Sequence, residues 1–501
     1  MSGGHVVIVG GGLAGIAAAI ALRDGGTEVT LLEAKGWLGG ATCSFSRGGL
    51  AIDNGQHVFL RCCTSYAELL ARLGVAGSVA VQDRFDVTVL TPGGQRARLR
   101  RTGLPAPLHM AGALARYPLL SPAERLKVLR AALALRFARP ADAALDGLRL
   151  GDWLAERWQG ERARRRLWDL FIVSALNIAG DDACVALAAK VIRTALLEDA
   201  SAADIGVPSI PLGTLHGQAA RTLLHRLGAD VRLGVKATAI EPGSGGGFDV
   251  RTLARAQALA AAEGGDAGPG PLVGTDPQQD PQGGESAAGG RAGATLRADA
   301  VVLAVPAWDA VRLVPAALSA NWSNLRPSPI VNVHVIYDRQ VMTLPFAAAA
   351  DSPIQWVFDK TRQAGVPDGQ YLVVSQSAAD GYIGVPAAEL REQFLPALCE
   401  LFPAARDAEV TDYFVTRERR ATFRQAPGCG RSRPPAATSV SRLVLAGAWT
   451  DTGWPDTMEG AVRSGLTAAT QIQHQLAQAA TAPAGGHARP AAAPESAGTP
   501  S

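Results

Sequence analysis

Cysteine, aromatic residues and an excess of charge of either sign are all scarce in this sequence. The six cysteines are scattered over 501 residues without a CxxC pair or the spacing of a zinc site. This excludes a disulfide scaffold, predicts no metal site and favours a reducing, cytoplasmic environment. Lys and Arg number 48 against 45 Asp and Glu, a balance that argues against nucleic acid as the main partner.

Long apolar runs are also missing from the sequence. None reaches the ~20 residues of a membrane-spanning helix, and no basic stretch precedes the first apolar run, because the first arginine is Arg23. We therefore expect neither a signal peptide nor a transmembrane anchor. Hydrophobic residues nevertheless make up 48% of the chain, which excludes a wholly disordered protein.

Two low-complexity segments are expected to lie outside the folded core. Residues 263–293 contain ten Gly and four Pro, and such a composition cannot bury enough apolar surface to offset its ordering entropy. We predict a disordered insert here, which lengthens a β-hairpin, and a disordered tail at residues 477–501. Neither is expected to carry catalysis.

The chain opens with a β-α-β unit made of a strand at 5–9, a glycine-rich turn, an Ala-rich helix and a strand at 27–33. Continuous apolar runs at 298–306 and 442–447 are typical of further strands in a parallel sheet that is covered on both faces. We predict an α/β fold. In it, a Rossmann-like domain is assembled from three chain segments and carries an inserted α+β substrate domain.

The domain boundaries follow from this pattern. The nucleotide-binding domain is predicted to comprise residues 1–83, 215–310 and 430–475. Residues 84–214 have a mostly helical pattern, and residues 311–429 alternate strands with one helix. We expect these two inserts to pack together as the substrate domain.

The glycine-rich turn has the GxGxxG pattern of a dinucleotide site. Its candidate binding residues are Gly10, Gly12, Leu13, Ala14 and Gly15. The first glycine permits a tight turn, the second lets the backbone approach a pyrophosphate, and the third lets the helix pack on the strand. Glu33 ends the second strand, where its carboxylate can accept hydrogen bonds from ribose hydroxyls. A purely structural glycine turn is the alternative.

Two further segments favour FAD over NAD. Gly39, Gly40 and Ala41 follow the second strand, and a late strand–loop–helix segment supplies Gly447, Asp451, Met458, Gly460 and Ala461. Small residues let the N-terminus of the late helix approach a ring, and its dipole favours negative charge on a reduced flavin. We predict non-covalent FAD, because no Cys or His lies in a recognisable flavinylation motif.

This arrangement resembles the amine oxidase/phytoene desaturase superfamily of FAD enzymes, whose pattern the strand ADAVVLAVP (298–306) also fits. Within that superfamily the chain is most similar to the squalene-associated FAD-dependent desaturases, the hydroxysqualene dehydroxylases of bacterial hopanoid synthesis. The runs that carry this resemblance are DNGQHVFLRCCTSY (53–66), WDLFIVSALN (168–177), SPIVNVHVIYDRQVM (328–342) and AGAWTDTGWPDTMEGAVRSG (446–465). The resemblance extends to about residue 465, apart from the low-complexity insert.

The resemblance implies reductive removal of the allylic hydroxyl of hydroxysqualene, which gives squalene. The C–O bond ionises as a proton reaches the leaving oxygen, and the cation then takes hydride in a site that excludes water. A carotenoid desaturase and an amine oxidase are the alternative enzymes, and a polyprenoid-binding protein is the non-enzymatic alternative. Ala41 and Ala448 stand where the superfamily usually carries Arg and an acid, and Asp451 could replace the acid.

Three residues of one segment are the candidate catalytic groups: Asp53, Gln56 and His57. The resemblance places this segment beside the isoalloxazine, where Gly55 would let the backbone approach the ring. His57 could donate the proton, with Asp53 orienting or charging it. Alternatively, Asp53 and Asn54 only make turn hydrogen bonds, and His57 packs as a core residue.

Several aromatic residues have two interpretations as well. Trp449 and Trp454 could wall the ring, or they could be ordinary core residues. Trp356, Phe358 and His334 could line the substrate domain, although strand alternation predicts a buried face there in any case.

The implied substrate predicts a contact with the membrane. A polyprenoid resides in the bilayer, so we expect peripheral docking on the inner face of the cell membrane or delivery by a partner enzyme of the hopanoid pathway. The insert 84–214 combines apolar stretches with arginine clusters at 96–101 and 162–166. Anionic headgroups attract such clusters.

Overall fold

A computed structural model describes residues 3–140, 142–243, 246–254, 294–319 and 321–481. In chain order the strands are β1 (Gly3–Val9), β2 (Thr27–Glu33), β3 (Ser44–Arg47), β4 (Leu50–Asp53), β5 (Phe59–Leu60), β6 (Val79–Val81), β7 (Asp86–Leu90), β8 (Arg96–Arg100), β9 (Ile205–Pro208), β10 (Asp230–Leu233), β11 (Val235–Pro242), β12 (Phe248–Ala254), β13 (Thr295–Ala298), β14 (Ala300–Leu303), β15 (Pro327–Tyr337), β16 (Phe346–Ala349), β17 (Trp356–Asp359), β18 (Gln370–Gln376), β19 (Val410–Phe423) and β20 (Leu443–Leu445).

The α-helices of the same residues vary from one turn to more than six. They are α1 (Leu13–Asp24), α2 (Thr64–Arg72), α3 (Ala111–Ala115), α4 (Pro122–Phe137), α5 (Ala143–Asp146), α6 (Leu150–Ala155), α7 (Glu161–Ala163), α8 (Asp169–Leu176), α9 (Val185–Ile192), α10 (Ala219–Arg226), α11 (Ala307–Ala310), α12 (Ala316–Ser319), α13 (Thr361–Ala364), α14 (Ala387–Leu401), α15 (Cys429–Ser432) and α16 (Met458–Thr481). None of these helices combines the length and the low polarity needed to cross a membrane.

The nucleotide-binding half is built on a parallel sheet with the strand order β10-β2-β1-β14-β20. Its strands come from three separated parts of the chain, so the predicted fold class is confirmed. Val6 and Ile8 of β1 face the helices α1 and α16, whereas Val7 and Val9 face the antiparallel sheet β11-β12-β13. Both faces of β1 are covered, which explains its continuous apolar sequence.

The predicted strand at 298–306 divides between two sheets. β13 pairs with β12 in the antiparallel sheet, and β14 continues in the parallel sheet beside β1. Between them the N–H of Asp299 donates to the carbonyl of His5 at 2.8 Å. The pairing of β12 with β13 is the predicted hairpin, and the insert 263–293 lies outside the described residues.

The second half is organised by a seven-stranded sheet with the order β19-β15-β18-β17-β16-β7-β8. The hairpin β7–β8 belongs to the insert predicted to be mostly helical, so that prediction is wrong for residues 86–100. Ala97 and Leu99 of β8 are buried and the arginines between them are exposed. The arginine cluster is therefore the outer face of a strand, a period-2 pattern.

Helices of the first insert cover one face of this sheet, and α14 covers the other. The start of α4 has a capping box, in which the Oγ of Ser121 accepts from the N–H of Glu124 and the Glu124 carboxylate accepts from the N–H of Ser121. At the other end of the chain, α16 continues to Thr481, so the disordered tail predicted from residue 477 is wrong for its first residues. Ala and Gln extend the helix beyond its last buried turn because their helix propensity is high. Residues 482–501 lie outside the described part.

Candidate active site

The turn between β1 and α1 accepts only glycine at two positions. Gly10 has a φ of +112°, and a Cβ there would lie 2.5 Å from the carbonyl oxygen of Ala304. A Cβ on Gly15 would lie 1.9 Å from the carbonyl oxygen of Gly10. These contacts bring β1, β14 and the start of α1 together, as predicted for the first and third glycines.

The N-terminus of α1 is open to an anion. Gly12 is its N-cap, no described side chain caps it, and its first turn contains no acidic residue. Leu13 and Ala14, which open the helix, are buried. Because the first N–H groups of a helix have no partner within the helix, this turn can bind a phosphate.

The second glycine loop lies directly against the first. The N–H of Gly39 donates to the carbonyl of Gly11 at 2.9 Å, and a Cβ on Gly40 would lie 3.0 Å from the Cα of Gly12. Gly39 and Gly40 have φ angles of +108° and +62°, a region that favours glycine. Ala41 is exposed beside them, so the position where the superfamily carries Arg supplies only a methyl group.

Glu33 is buried at the end of β2. Its Oε2 accepts from the N–H of Gly11 at 2.7 Å, and its Oε1 accepts from the N–H of Lys35 at 2.8 Å. Each carboxylate oxygen keeps a second lone pair, which a ribose hydroxyl can use. Together with the open turn of α1, this arrangement fits a dinucleotide.

The junction between β20 and α16 holds the late residues predicted to bind the cofactor: Gly447, Met458, Gly460 and Ala461. A Cβ on Gly447, whose φ is +145°, would lie 2.4 Å from the Nε1 of Trp449. A Cβ on Gly460 would lie 2.6 Å from the carbonyl oxygen of Pro455. Both glycines therefore let the chain fold back tightly at the N-terminus of α16.

The loop after Gly447 is held by an arginine that the sequence did not single out. Arg433 is buried and donates to the carbonyls of Ala448, at 2.9 Å, and Thr450, at 3.0 Å. Asp451 is exposed, and its Oδ1 accepts from the N–H of Gly453 at 3.4 Å. The main-chain conformation of this loop thus depends on a buried cation and not on an acid at position 448.

Asp53 is the centre of a buried polar network. Its Oδ1 accepts from the Oγ of Ser44 at 2.6 Å and from the N–H of Leu212 at 2.9 Å. Its Oδ2 accepts from the Nε2 of Gln363 at 2.7 Å and lies 3.4 Å from the Nζ of Lys360. The carboxylate therefore ties β4 to both halves of the molecule.

His57 lies close to this network without bonding to Asp53. Its Nδ1 is 3.2 Å from the carbonyl oxygen of Gly55. Burial lowers the pKa of His57, while the Gly55 carbonyl and the charge of Asp53 act in the opposite direction. The imidazole is thus neutral at pH 7. Asp53 acts on it through its field only. Gln56, which precedes His57 in the chain, is half-buried.

Strands β15, β18 and β19 present a polar wall to this segment. The Nδ2 of Asn332 is 3.5 Å from the carbonyl oxygen of Asn54, and its buried Oδ1 has no hydrogen-bond partner among the described residues. His334 is fully buried, with Nδ1 2.6 Å from the hydroxyl of Tyr371 and Nε2 2.9 Å from that of Thr416. An orphaned polar atom beside residues 53–57 marks a place for a polar group of a ligand.

The sequence did not identify Lys360, Arg433 or Glu459, all of which are buried and charged. Glu459 accepts from the N–H groups of Ser65, at 3.2 Å, and Tyr66, at 2.8 Å, and so holds α16 to the start of α2. Lys360 follows a predicted strand directly, and a charged residue at such a strand end was the available signal. Glu459 also pairs with Arg463 one helical turn later at 2.6 Å, and this i,i+4 spacing was its only local signal. The contacts of Arg433 with the loop 448–452 have no such spacing.

The candidate aromatic residues divide between core and cavity. Trp449 is buried and donates to the carbonyl of Val305 at 2.9 Å, and Phe358 is buried too. Trp454 is half-buried, with the cations of Lys190 and Arg463 each 4.8 Å from its ring centre.

Trp356 donates to the Oγ of Ser174 at 2.7 Å and lines a cavity of about 660 Å³ between α8 and the strands β16 and β17. The apolar part of this cavity comes from Leu170, Val173, Ala349, Ala350, Pro353 and Ile354. The rest of the lining is polar or charged and comes from Arg165, Arg166, Asp169, Ser174, Asp351, Ser352 and Gln355. The cavity is therefore amphipathic, with an apolar side that a hydrocarbon can contact.

Comparison with known proteins gives full-length matches. Residues 13–268 and 271–473 match the family model described as flavin containing amine oxidoreductase. The chain is 29% identical to hydroxysqualene dehydroxylase of Rhodopseudomonas palustris over 93% of this chain and 98% of that protein. It is 25% identical to the chloroplastic/chromoplastic zeta-carotene desaturase of Zea mays over 93% of this chain and 83% of that protein. A structure of putrescine oxidase bound to putrescine shares the fold, with a TM-score of 0.64, 20% identity and coverage of 94% and 98% of the two chains.

Proposed function

The chain belongs to the family of flavin-containing amine oxidoreductases, and from that premise we propose that it reductively removes the hydroxyl group of hydroxysqualene to give squalene. Membership confirms the predictions of an oxidoreductase and a flavin cofactor, and the dinucleotide cradle fits FAD. The observation that carries the proposed reaction is the end-to-end similarity to a hydroxysqualene dehydroxylase. The buried polar groups near His57 and the apolar side of the cavity at Trp356 are compatible with that reaction.

Bound FAD in its reduced form would supply hydride. The protein must supply a proton to the leaving oxygen and keep water away from the allylic cation. We assign proton donation to the imidazolium form of His57. This form is a minor species at pH 7 because burial lowers the pKa of His57, and the negative field of Asp53 opposes that shift. The free Oδ1 of Asn332 can accept a hydrogen bond from the substrate hydroxyl and so place it near His57.

We propose that the chain divides as the sequence predicts. Residues 1–83, 215–310 and 430–475 would bind FAD, and residues 84–214 and 311–429 would bind the polyprenoid. The shared sheet made from β7–β8 and β15–β19 supports one substrate unit built from both inserts. Asp53, Gln56, His57 and the bound ring would then lie where the two units meet.

Carotenoid desaturation is the second candidate, because the chain also matches a zeta-carotene desaturase along most of its length. Amine oxidation has less support. An amine oxidase usually has a basic residue near the flavin. Lys360 is the candidate for that role, but it forms an ion pair with Asp53.

Anaerobic incubation with hydroxysqualene, FAD and dithionite tests the proposal, with squalene measured by gas chromatography. We expect the amount of squalene to increase in proportion to the amount of enzyme. The His57→Gln variant should form squalene much more slowly than wild type. Turnover of ζ-carotene or of an amine without formation of squalene would overturn the proposal in favour of the corresponding alternative.

We also propose that the enzyme meets its substrate on the inner face of the cell membrane, with supply by a partner enzyme as the alternative. The two arginine clusters are weaker candidates for the contact with the membrane, because carboxylates already pair with most of their side chains. Arg98 and Arg100 pair with Asp86, and Arg101 lies 2.6 Å from a carboxylate oxygen of Asp204. Arg162, Arg164, Arg165 and Arg166 pair with Glu124, Asp181, Glu161 and Asp351 in turn. The second cluster is thus matched one to one. In the first, Arg98 and Arg100 share a single carboxylate, Arg101 shares Asp204 with Arg61, and no ion pair of Arg96 occurs among the described residues.

A further inference from the structure

Exposed large hydrophobic side chains are concentrated in one part of the described chain. Of eleven such residues, eight lie between positions 104 and 158: Leu104, Leu108, Leu126, Leu129, Leu133, Phe137, Leu148 and Trp158. Four of the eight belong to α4, where Leu126 is 63% and Phe137 is 78% exposed. Contiguous exposed apolar surface of this kind marks a binding site for a protein or a membrane.

Helix α4 has two apolar faces on opposite sides. Val128, Ala131 and Leu135 are buried against the core of the insert. At 3.6 residues per turn, the exposed side chains of α4 fall within one sector of about 80° on the far side of the helix. This outer stripe is formed by Leu126, Leu129, Leu133 and Phe137. The fold requires only the inner face, so the outer stripe is not explained by packing.

Two exposed cations flank the outer stripe on one side, where helical position places Lys127 and Arg130. Arg125 and Arg136 lie along the other edge but are half-buried, and their guanidinium groups donate to the carbonyls of Leu120, Ala115 and Leu197. The segment 111–139 also carries Arg116 and Arg139 against a single acid, Glu124. Within the described part of the chain none of the six cations is in an ion pair, whereas Glu124 is bound to Arg162.

We propose that the outer stripe of α4 docks the protein on an anionic phospholipid bilayer. An apolar stripe bordered by Lys and Arg is the pattern of a helix that lies in the membrane interface, with its cations reaching back to the headgroups. Trp158, which is 59% exposed and has Arg130 4.9 Å from its ring centre, adds an aromatic side chain suited to the same depth.

Charge decides between a bilayer and a second copy of the chain. A symmetric dimer through this stripe would bring the six cations of one copy against the same six of the other, without carboxylates to pair them. Anionic headgroups have the complementary sign. The inference rests on the proposed function, because an enzyme whose polyprenoid substrate is dissolved in the membrane must reach the bilayer.

Flotation of the FAD-loaded enzyme with vesicles tests the proposal. The vesicles contain phosphatidylcholine with or without 30% phosphatidylglycerol, at low and at high salt. We expect wild type to bind the anionic vesicles and to be released by salt, because screening weakens headgroup attraction. Leu129→Gln/Leu133→Gln/Phe137→Gln should lower the partition coefficient at least tenfold. Lys127→Ser/Arg130→Ser should lower it about twenty-fivefold on anionic vesicles, at about fivefold per cation.

Matched control variants distinguish vesicle binding through the outer stripe from nonspecific binding by other exposed apolar or cationic side chains. Val81→Gln/Leu466→Gln removes exposed apolar side chains elsewhere, and Arg221→Ser/Arg226→Ser removes two exposed cations from α10. Both should bind vesicles as wild type does. All variants should keep their FAD, because none touches the cradle.

Three outcomes would overturn the docking proposal: wild type that ignores anionic vesicles at low salt, α4 variants that bind as well as wild type, or a dimer in solution that the Leu129→Gln/Leu133→Gln/Phe137→Gln variant converts to monomer. Vesicle binding is measured without substrate, and squalene formation is measured in detergent micelles without vesicles. Failure of docking and failure of the proposed reaction are therefore distinguishable.

Discussion

Lys360 and Asp53 form a buried ion pair, with the ammonium 3.4 Å from the carboxylate and both side chains more than nine-tenths buried. Asp53 ends β4, and Lys360 follows β17 of the seven-stranded sheet. Burial lowers the pKa of Lys360, and the charge of Asp53 opposes that shift. The pair thus joins the segment 53–57 to the substrate sheet by electrostatics.

Removing one charge of this pair should destabilise the protein more than removing both. Asp53→Asn or Lys360→Met alone leaves one buried charge unpaired, and each should lower the free energy of unfolding by about 3–5 kcal/mol. The double variant should recover most of that loss, because no uncompensated charge remains. Urea unfolding of the four proteins gives the coupling energy. Additive losses in the double variant would mean that the two charges do not interact.

The charge state of His57 should set the pH dependence of the reaction. Its pKa lies below the usual value, so the imidazolium fraction falls tenfold with each pH unit above that pKa. We expect kcat/KM to fall about tenfold per pH unit from pH 7 to pH 9. His57→Gln should lose about 10²–10⁴-fold in rate and flatten the profile. A His57→Gln enzyme that kept the wild-type slope would exclude His57 as the proton donor.

Two other histidines should make the fold sensitive to acid. Burial lowers the pKa values of His216 and His334 to about 3, against about 6.5 in an unfolded chain. Below pH 6.5 the unfolded state therefore binds protons that the folded state does not, and each histidine should reduce stability by up to about 1.4 kcal/mol per pH unit.

Thermal unfolding measured between pH 7.5 and pH 5 checks this dependence. His334→Gln should show a shallower loss on acidification than wild type, whatever its stability at pH 7.5. An equal slope in the two proteins would show that His334 titrates normally.

The steric limit at Gly15 should be visible in FAD binding. A Cβ there would lie 1.9 Å from the carbonyl of Gly10, so Gly15→Ala must displace the turn that faces the phosphates. We expect that variant to purify without the flavin absorbance of wild type. Gly77→Ala is the matched control, since a Cβ at Gly77 meets nothing within 4 Å. Flavin released from wild type by denaturation would also test the prediction of non-covalent binding.

Much of the architecture could be predicted because its signals are local. The strand 27–33 coincides with β2, and the apolar run 442–447 contains β20. The prediction failed at 86–100, where a short hairpin inside a helical region carries arginines on alternate positions and was interpreted as a charge cluster. Phe358 and Trp449 are buried. Burial is compatible with both interpretations of these residues, as the lining of a ligand site or as ordinary core.

The candidate site was predicted in part. Gly10, Gly15, Glu33, Gly39 and Gly40 do come together in one cradle. One of the two interpretations had Asp53 orient or charge His57. The structure shows no hydrogen bond between them, and Asp53 instead contacts Ser44, Leu212, Gln363 and Lys360. Periodicity and spacing report neighbours along the chain, and these partners are neighbours only after folding.

By itself, then, the sequence determined the nucleotide-binding unit, because glycine sterics and continuous apolar strands are properties of short segments. Only the tertiary structure decided which charges are paired. It matched the arginines at 162–166 one to one with carboxylates and placed Arg98 and Arg100 on one shared aspartate. It left the cations beside α4 without an ion pair among the described residues. It also gave Asp53 a lysine partner from another sheet. The physical reason is that an ion pair depends on distance in space, which sequence separation does not fix until the sheets have assembled.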